Sequence, residues 1–362
     1  MRAMQYRITK NQKKAYLQLY ELIRHDIVIG NYAFGSKLPS KRLLAEESGV
    51  SVITVEHAYA ILCDEGYVES RERSGFVVIF RKSDGFAAPA ETHTEHSIVQ
   101  QSYHTYPEFP FSVLRKTMRK VLSDDADVLR ERSPNAGCPE LREAIKNYLI
   151  RNRGMNVESG QIIVGSGAEY LYGLIITMLG RKHVYGIESP SYKKIEQIYS
   201  AADVEYELMP LSHDGIDSLA LTKTKANVIH TTPYRSFPTG ITASANKRHE
   251  YIRWASKNGR IIIEDDFESE FSVSSKPEDT LFSLSNYDNV IYMNTFSKTI
   301  SPALRVGYMV LPKCLVSEFD KKLGFYSCTV PTFEQFVLAE LINSGDFERH
   351  INRVRRSLRK KH

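Results

Sequence analysis

From about residue 107 onward, short apolar runs alternate with amphipathic stretches, and this alternation limits the possible folds more than any other feature of the chain. QIIVGSG, HVYGIE, VEYELMPL, NVIHTTP, RIIIEDD and NVIYMNTFSK read as strands. Between and before them, SVLRKTMRKVL, LREAIKNYLIRN, AEYLYGLIITML, PSYKKIEQIYSAA and RHEYIRWASKNG carry helical periodicity. Apolar strands separated by helices predict a mostly parallel sheet covered on both faces. In such α/β sheets ligands gather beyond the carboxyl ends of the strands.

Residues 1–80 follow a different order. Leu17, Tyr20, Leu22, Ile23, Ile27 and Val28 form one helical stripe that Gly30 ends. Ser40 is placed to cap a second helix, which Ser48-Gly49 closes, and Ser51 to cap a third running to about Glu65. YVES and FVVI then read as two strands around a charged turn. Three helices and a hairpin make a winged helix-turn-helix. Residues 81–106 are polar and aperiodic and read as a linker to a larger domain over 107–362.

Charge is distributed unevenly. Met1–Lys82 holds 13 Lys and Arg against 9 Asp and Glu, and Arg349–His362 holds 7 basic residues and no acid, although the whole chain is only +5. A basic head on a mildly acidic body points the head toward a polyanion, and double-stranded DNA fits a winged helix. The helix opening at Ser51 is then the one for the major groove, with Ser51, Thr54 and His57 as polar contacts and Val52 available to a thymine methyl. Lys37, Lys41 and Arg42 flank the preceding helix, and Arg71, Arg73, Ser74 and Gly75 form the wing turn. Any one of these charges alone also fits a solvated surface.

With 42% hydrophobic and 25% charged residues, the composition is that of a globular protein. No apolar run approaches the roughly 20 residues of a membrane helix, and the N-terminus lacks a signal-peptide core. The expected setting is cytoplasmic, with no membrane partner. The four cysteines have no metal-ligand spacing and read as reduced thiols, so no metal site is expected.

In the body, NTFSKTISPALRVGYMV places Lys298 between polar residues and an apolar run. A lysine amine condenses with an aldehyde, and pyridoxal 5′-phosphate is the commonest such cofactor; it also needs an acid near its ring nitrogen and a phosphate cup. Asp265 ends the run RIIIED, where a strand would deliver it into the crevice, though strand-end Asp residues also serve as caps or metal ligands. Ser166-Gly167-Ala168 offer backbone N–H groups at a helix start, and Thr295, Ser297 and Arg305 would complete the cup.

The head resembles the GntR-type winged helix over roughly Tyr16 to Ile79, through GSKLPSKRLLA, GVSVITV, AYAIL and EGYVESRERSGFVV. The body resembles fold-type I aminotransferases through SPNAGCPELREAI, IIVGSGAE, ESPSY, FPTGIT, IIIEDDFESEF and TFSKTISPALRVGY, and the two-domain order resembles the MocR-like branch of GntR regulators. The resemblance implies an α/β fold, a winged helix-turn-helix followed by a pyridoxal-phosphate-binding large domain. It implies Lys298 as the Schiff-base lysine, Asp265 as pyridinium partner, Tyr192 as the aromatic stacked on the ring, and Arg305 as phosphate ligand. It further implies a homodimeric transcription regulator that binds operator DNA and senses pyridoxal phosphate or its amino-acid adduct. The alternatives are an aminotransferase carrying a DNA-binding module and a DNA binder that senses nothing.

Four positions depart from the pattern. Val52 stands where many members carry Arg, Glu56 where a basic residue is common, Phe267 where Tyr is expected, and Phe237 where aminotransferases place Asn. The resemblance also leads one to expect a small C-terminal domain beyond RHINRVRRSLRKKH, so this basic stretch reads as an amphipathic helix of a truncated chain. Lys194 is the nearby cation for an effector's carboxylate.

Overall fold

The computed structural model describes residues 6, 8, 14–71, 75–81, 107–257, 259–266, 268–272 and 278–360. Arg73, Ser74, Phe267 and nearly all of the 81–106 segment lie outside them. The chain divides into two compact units, Met1–Gln101 and Ser102–His362.

In the first unit, α1 (Ala15–Ile29), α2 (Lys41–Ser48) and α3 (Val52–Asp64) precede the antiparallel hairpin β1 (Val68–Arg71) and β2 (Gly75–Val78). Ser40 Oγ accepts from the Leu43 N–H and Ser51 Oγ from the Thr54 N–H, each at 3.2 Å. Such caps contribute about 1 kcal/mol apiece, which is why both helices start where they do. Gly49 closes α2 at φ 64°, a conformation that favours glycine. Leu19, Ile23, Leu44, Val55, Leu62 and Val78 bury together as a small core. Lys37 bridges Val77 in antiparallel register, so the approach to α2 lies against the wing strand.

The second unit is built on an eight-stranded sheet. Its strands are β3 (Ile162–Gly165), β4 (Tyr185–Ser189), β5 (Tyr206–Ser212), β6 (Gly215–Ile216), β7 (Val228–Thr231), β8 (Ile261–Asp265), β9 (Val290–Thr295) and β10 (Gly307–Val310), in the order β3-β10-β9-β8-β7-β4-β5-β6. The run from β9 through β8, β7 and β4 to β5 is parallel, whereas β10 pairs antiparallel with both β9 and β3. The short Phe296–Val306 connection explains that reversal, because parallel neighbours need a longer crossover.

Alternation along each strand supplies two separate layers. Ile163, Ile187, Val228, Ile263, Met293 and Met309 pack on one face with α6 (Ala168–Leu179), α7 (Lys193–Ala201) and α11 (Lys313–Leu323). On the other face lie α4 (Phe111–Asp124), α5 (Pro139–Arg153), α8 (Ser218–Lys223), α9 (Ala245–Ala255), α10 (Leu281–Leu284), α12 (Thr332–Asn343) and α13 (Asp346–Arg359), against Ile162, Tyr292, Val310, Ile229 and Ile262. Helix α13 buries Phe347, Ile351 and Val354 and exposes Arg349, Arg353, Arg356 and Arg359. The basic stretch is thus one face of an amphipathic helix.

Beneath the sheet's second face lies a charged cluster with one cation and three carboxyls. Arg153 Nη2 stands 2.7 Å from Asp266 Oδ2, which also accepts from Tyr292 Oη at 2.7 Å. Breaking a buried pair of this kind costs about 3–5 kcal/mol, because the remaining charge is stranded. Glu264 accepts from Tyr234 Oη and the Leu281 and Phe282 N–H groups, and Glu270 from Asn294 Nδ2 at 2.6 Å. Burial first, and the nearby Asp266 charge second, push both glutamates up to about 7. Carboxyls whose folded pKa is raised stabilise the fold below the unfolded value, and that contribution is lost as pH rises through the folded one. The melting temperature of Glu270→Gln should therefore fall less than that of the unaltered chain between about pH 5 and about pH 8. Equal slopes by differential scanning fluorimetry would contradict the assignment.

Candidate functional site

The strand directions bring the carboxyl ends of β3, β4, β7, β8 and β9 and the amino end of β10 to one edge of the sheet. Ser166 and Gly167 follow β3, and Tyr192 follows β4 at the start of α7. His230 lies near the end of β7 and Asp265 is the last residue of β8. Thr295 closes β9, Ser297 and Lys298 follow it, and Arg305 precedes β10. Residues far apart in sequence share this edge because the sheet is parallel.

Asp265 and Asp266 are adjacent yet serve opposite faces, as a period of two requires. Asp266 turns to Arg153, while Asp265 lies on the side of Ile263 and α6, where Tyr172 Oη donates to its Oδ2. His230 Nε2 is 3.6 Å from the same oxygen and has no hydrogen-bond partner among the described residues. Tyr172 packs edge-on against His230 at 4.9 Å, and Tyr199 Oη is 3.1 Å from His230 Nδ1. Burial, then the Asp265 charge, raise the Tyr172 phenol far above its ordinary value, so it stays a donor. A 5% exposed carboxyl group is thereby fixed at the carboxyl edge of the sheet.

At the β3–α6 turn Gly167 has φ 95°, and a Cβ there would stand 3.2 Å from Arg305 Nη2. The guanidinium lies directly over the turn, in space that a side chain would take. The half-buried Ser166 donates its N–H to Thr329 Oγ1 at 3.2 Å, Ala168 begins α6, and Ser297 Oγ donates to the Leu304 carbonyl at 3.4 Å. Arg305 Nη2 is also 3.5 Å from Glu169 Oε2, and Lys194 Nζ donates to Glu169 Oε1 at 2.6 Å. The cation singled out for an effector's carboxylate thus holds a carboxylate of the chain itself. Lys298 Nζ stands 3.6 Å from Glu268 Oε1, and Arg235 Nη1 is 3.8 Å from Glu268 Oε2.

Tyr192 is 38% exposed and meets Phe237 edge-on at 6.3 Å. The buried Glu188 joins the loops that carry these two rings, accepting from Thr231 Oγ1 at 2.5 Å, the Thr232 N–H at 3.0 Å and Ser236 Oγ at 2.8 Å. Sequence reasoning missed Tyr172, His230, Glu188, Glu169 and Glu268. The signal for His230 was present: it shares strand parity with Val228, and β7 pairs in register with β8, so it falls on the Asp265 face.

In the head, Lys41 Nζ is 2.6 Å from Glu56 Oε1 and Arg71 Nε is 2.8 Å from Glu69 Oε2. Ser51 and Thr54 hydroxyls are 2.9 Å apart, His57 packs edge-on against Tyr16 at 5.7 Å, Arg42 is exposed, and Gly75 opens β2 at φ 86°. Two of the basic residues expected at phosphates are therefore already paired with acids.

Residues 15–78 match the model of the bacterial regulatory proteins of the gntR family, and residues 102–362 match that of aminotransferase class I and II. The uncharacterized HTH-type transcriptional regulator YdeL of Bacillus subtilis is 34% identical over 96% of this chain and 77% of its own length. The chain belongs to the GntR-family transcription regulators that carry a class I and II aminotransferase domain. The probable rhizopine catabolism regulatory protein MocR of Rhizobium meliloti is 30% identical over 94% of this chain and 74% of its own. The HTH-type pyridoxine biosynthesis regulator PdxR of Corynebacterium glutamicum is 29% identical over 94% and 76%. Among solved structures, the Pyrococcus horikoshii kynurenine aminotransferase, in complex with PMP, superposes with TM-score 0.62 at 26% identity over 69% of this chain. The present chain spans 65% of that protein's length. No helix among the described residues is long and apolar enough to cross a membrane.

Membership fixes the fold, and within it Glu169 meets two cations beside the β3–α6 turn. An exposed ion pair contributes about 0–1 kcal/mol, so a doubly charged anion can displace Glu169 from Arg305 and Lys194. Glu169→Gln should bind inorganic phosphate several-fold more tightly by calorimetry; unchanged or weaker binding would contradict competition for these cations.

Proposed function

We propose that this GntR-family regulator holds pyridoxal 5′-phosphate in the crevice at the strand ends and that occupancy changes the affinity of its head for operator DNA. The observation that carries the reading is the convergence on one sheet edge of a primary amine, a buried carboxylate and an arginine lying over a glycine turn. These groups match the chemistry of the cofactor's aldehyde, ring nitrogen and phosphate. The unpartnered His230 Nε2 beside Asp265 leaves polar capacity at the ring position. The name of one relative, a pyridoxine biosynthesis regulator, and the PMP complex of the kynurenine aminotransferase agree with it.

When bound, the cofactor supplies an aldehyde for amine condensation and a protonated ring that withdraws electrons. Lys298 provides the amine, and Glu268 holds its ammonium in the free chain. Asp265, held by Tyr172 and with His230 beside it, would serve the ring nitrogen, and Tyr192 would cover the ring. Ser166, Gly167, Ala168, Thr295, Ser297 and Arg305 serve the phosphate. In the head, Ser51, Thr54 and His57, at the cap and in the first turns of α3, are the polar groups on offer to the bases, and Lys41, Arg42, Arg71 and Gly75 those on offer to the backbone; the assigned Arg73 lies outside the described residues. The protein acts as a cytoplasmic homodimer, since paired half-sites require paired heads. A ligand shifts DNA affinity only by binding two arrangements unequally.

Pyridoxal phosphate added to the full chain should produce an absorbance band near the visible edge and shift the midpoint of DNA binding, and Lys298→Ala should lose both. No band in the unaltered protein would overturn the cofactor reading. A band without any shift in DNA binding would overturn sensing, and turnover of amino acids in a transamination panel would favour an enzyme.

A further inference from the structure

The outward face of α3 carries Val52, Ile53, Glu56, His57 and Ala60, all exposed, with Ile53 at 64%. Val55, Ala58, Tyr59 and Leu62 face the core. The helix VITVEHAYAILCD contains no Lys, Arg, Asn or Gln. The bidentate contacts that read guanine and adenine in the major groove need one of those side chains, so α3 can make neither. Its two polar groups on this face already have neighbours. Glu56 is paired with Lys41 at 2.6 Å, whose ammonium holds the carboxylate below its usual range, and His57 packs against Tyr16. The Ser51 and Thr54 hydroxyls at the helix start engage each other and the cap.

Beside them, two branched aliphatic side chains at the first helical positions lie exposed on the same face. Such residues are poor helix formers and lose burial by pointing outward, so neither local stability nor core packing accounts for them. The base-edge feature in the major groove that rewards an apolar contact is the C5 methyl of thymine. We propose that Val52 and Ile53 read thymine methyl groups, so that the operator half-site offered to α3 is built on T·A pairs and not on guanines. This rests on the reading of the head as a DNA binder.

The test uses the full chain to enrich duplexes from a randomised pool, then remakes the enriched duplex with deoxyuridine for thymidine, which removes only the methyl groups. The uracil duplex should bind more weakly, by roughly fourfold for each contacted methyl. In Val52→Ala/Ile53→Ala, thymine and uracil duplexes should bind alike; both side chains are exposed, and the comparison on the unaltered protein stands without the variant. Equal binding of the two duplexes by the unaltered chain, or enriched sites that depend on G·C pairs under α3, would overturn the proposal while leaving DNA binding intact. Failure to enrich any sequence would overturn specific DNA binding itself.

Discussion

A carboxylate at the end of a buried parallel strand must be held by its neighbours, because little water reaches it. Asp265 meets that requirement through Tyr172, with the His230 ring 3.6 Å away, and the groups of the sheet's carboxyl edge lie about it. The next residue, Asp266, meets the same requirement on the opposite face through Arg153 and Tyr292. Strand pleating thus turns one acidic pair into a fixed group at the crevice and an internal strut. The strut ties α5 to the residue that follows Asp265 at the end of β8.

Much of this architecture was legible in the sequence. The strands ending at Gly165, Thr231, Asp265 and Thr295 are short apolar runs, and the helix from Ala168 to Leu179 was readable end to end because it lies between a Gly turn and Gly180. The Ser40 and Ser51 caps were visible for the same local reason. What could not be read is long-range. Nothing near Lys194 or Arg305 reveals that Glu169 lies between them, since that contact joins the starts of two helices with the approach to β10. The reversal of β10 is likewise a matter of connection length and sheet order, which apolar runs do not encode.

The head and the body rely on opposite uses of charge. In the body, buried ions are few and each is paired or hydrogen-bonded, so they specify geometry. In the head, Lys41 with Glu56 and Arg71 with Glu69 are exposed pairs that salt screens, and they contribute about 0–1 kcal/mol each.

The central claim is that Lys298 is the amine that meets the cofactor's aldehyde. Borohydride reduction of the chain mixed with pyridoxal phosphate, followed by proteolysis and mass spectrometry, makes that bond permanent and locates it. The account predicts a single phosphopyridoxyl group on the peptide containing Lys298. Labelling of Lys194 or of scattered surface lysines, with Lys298 untouched, would contradict it.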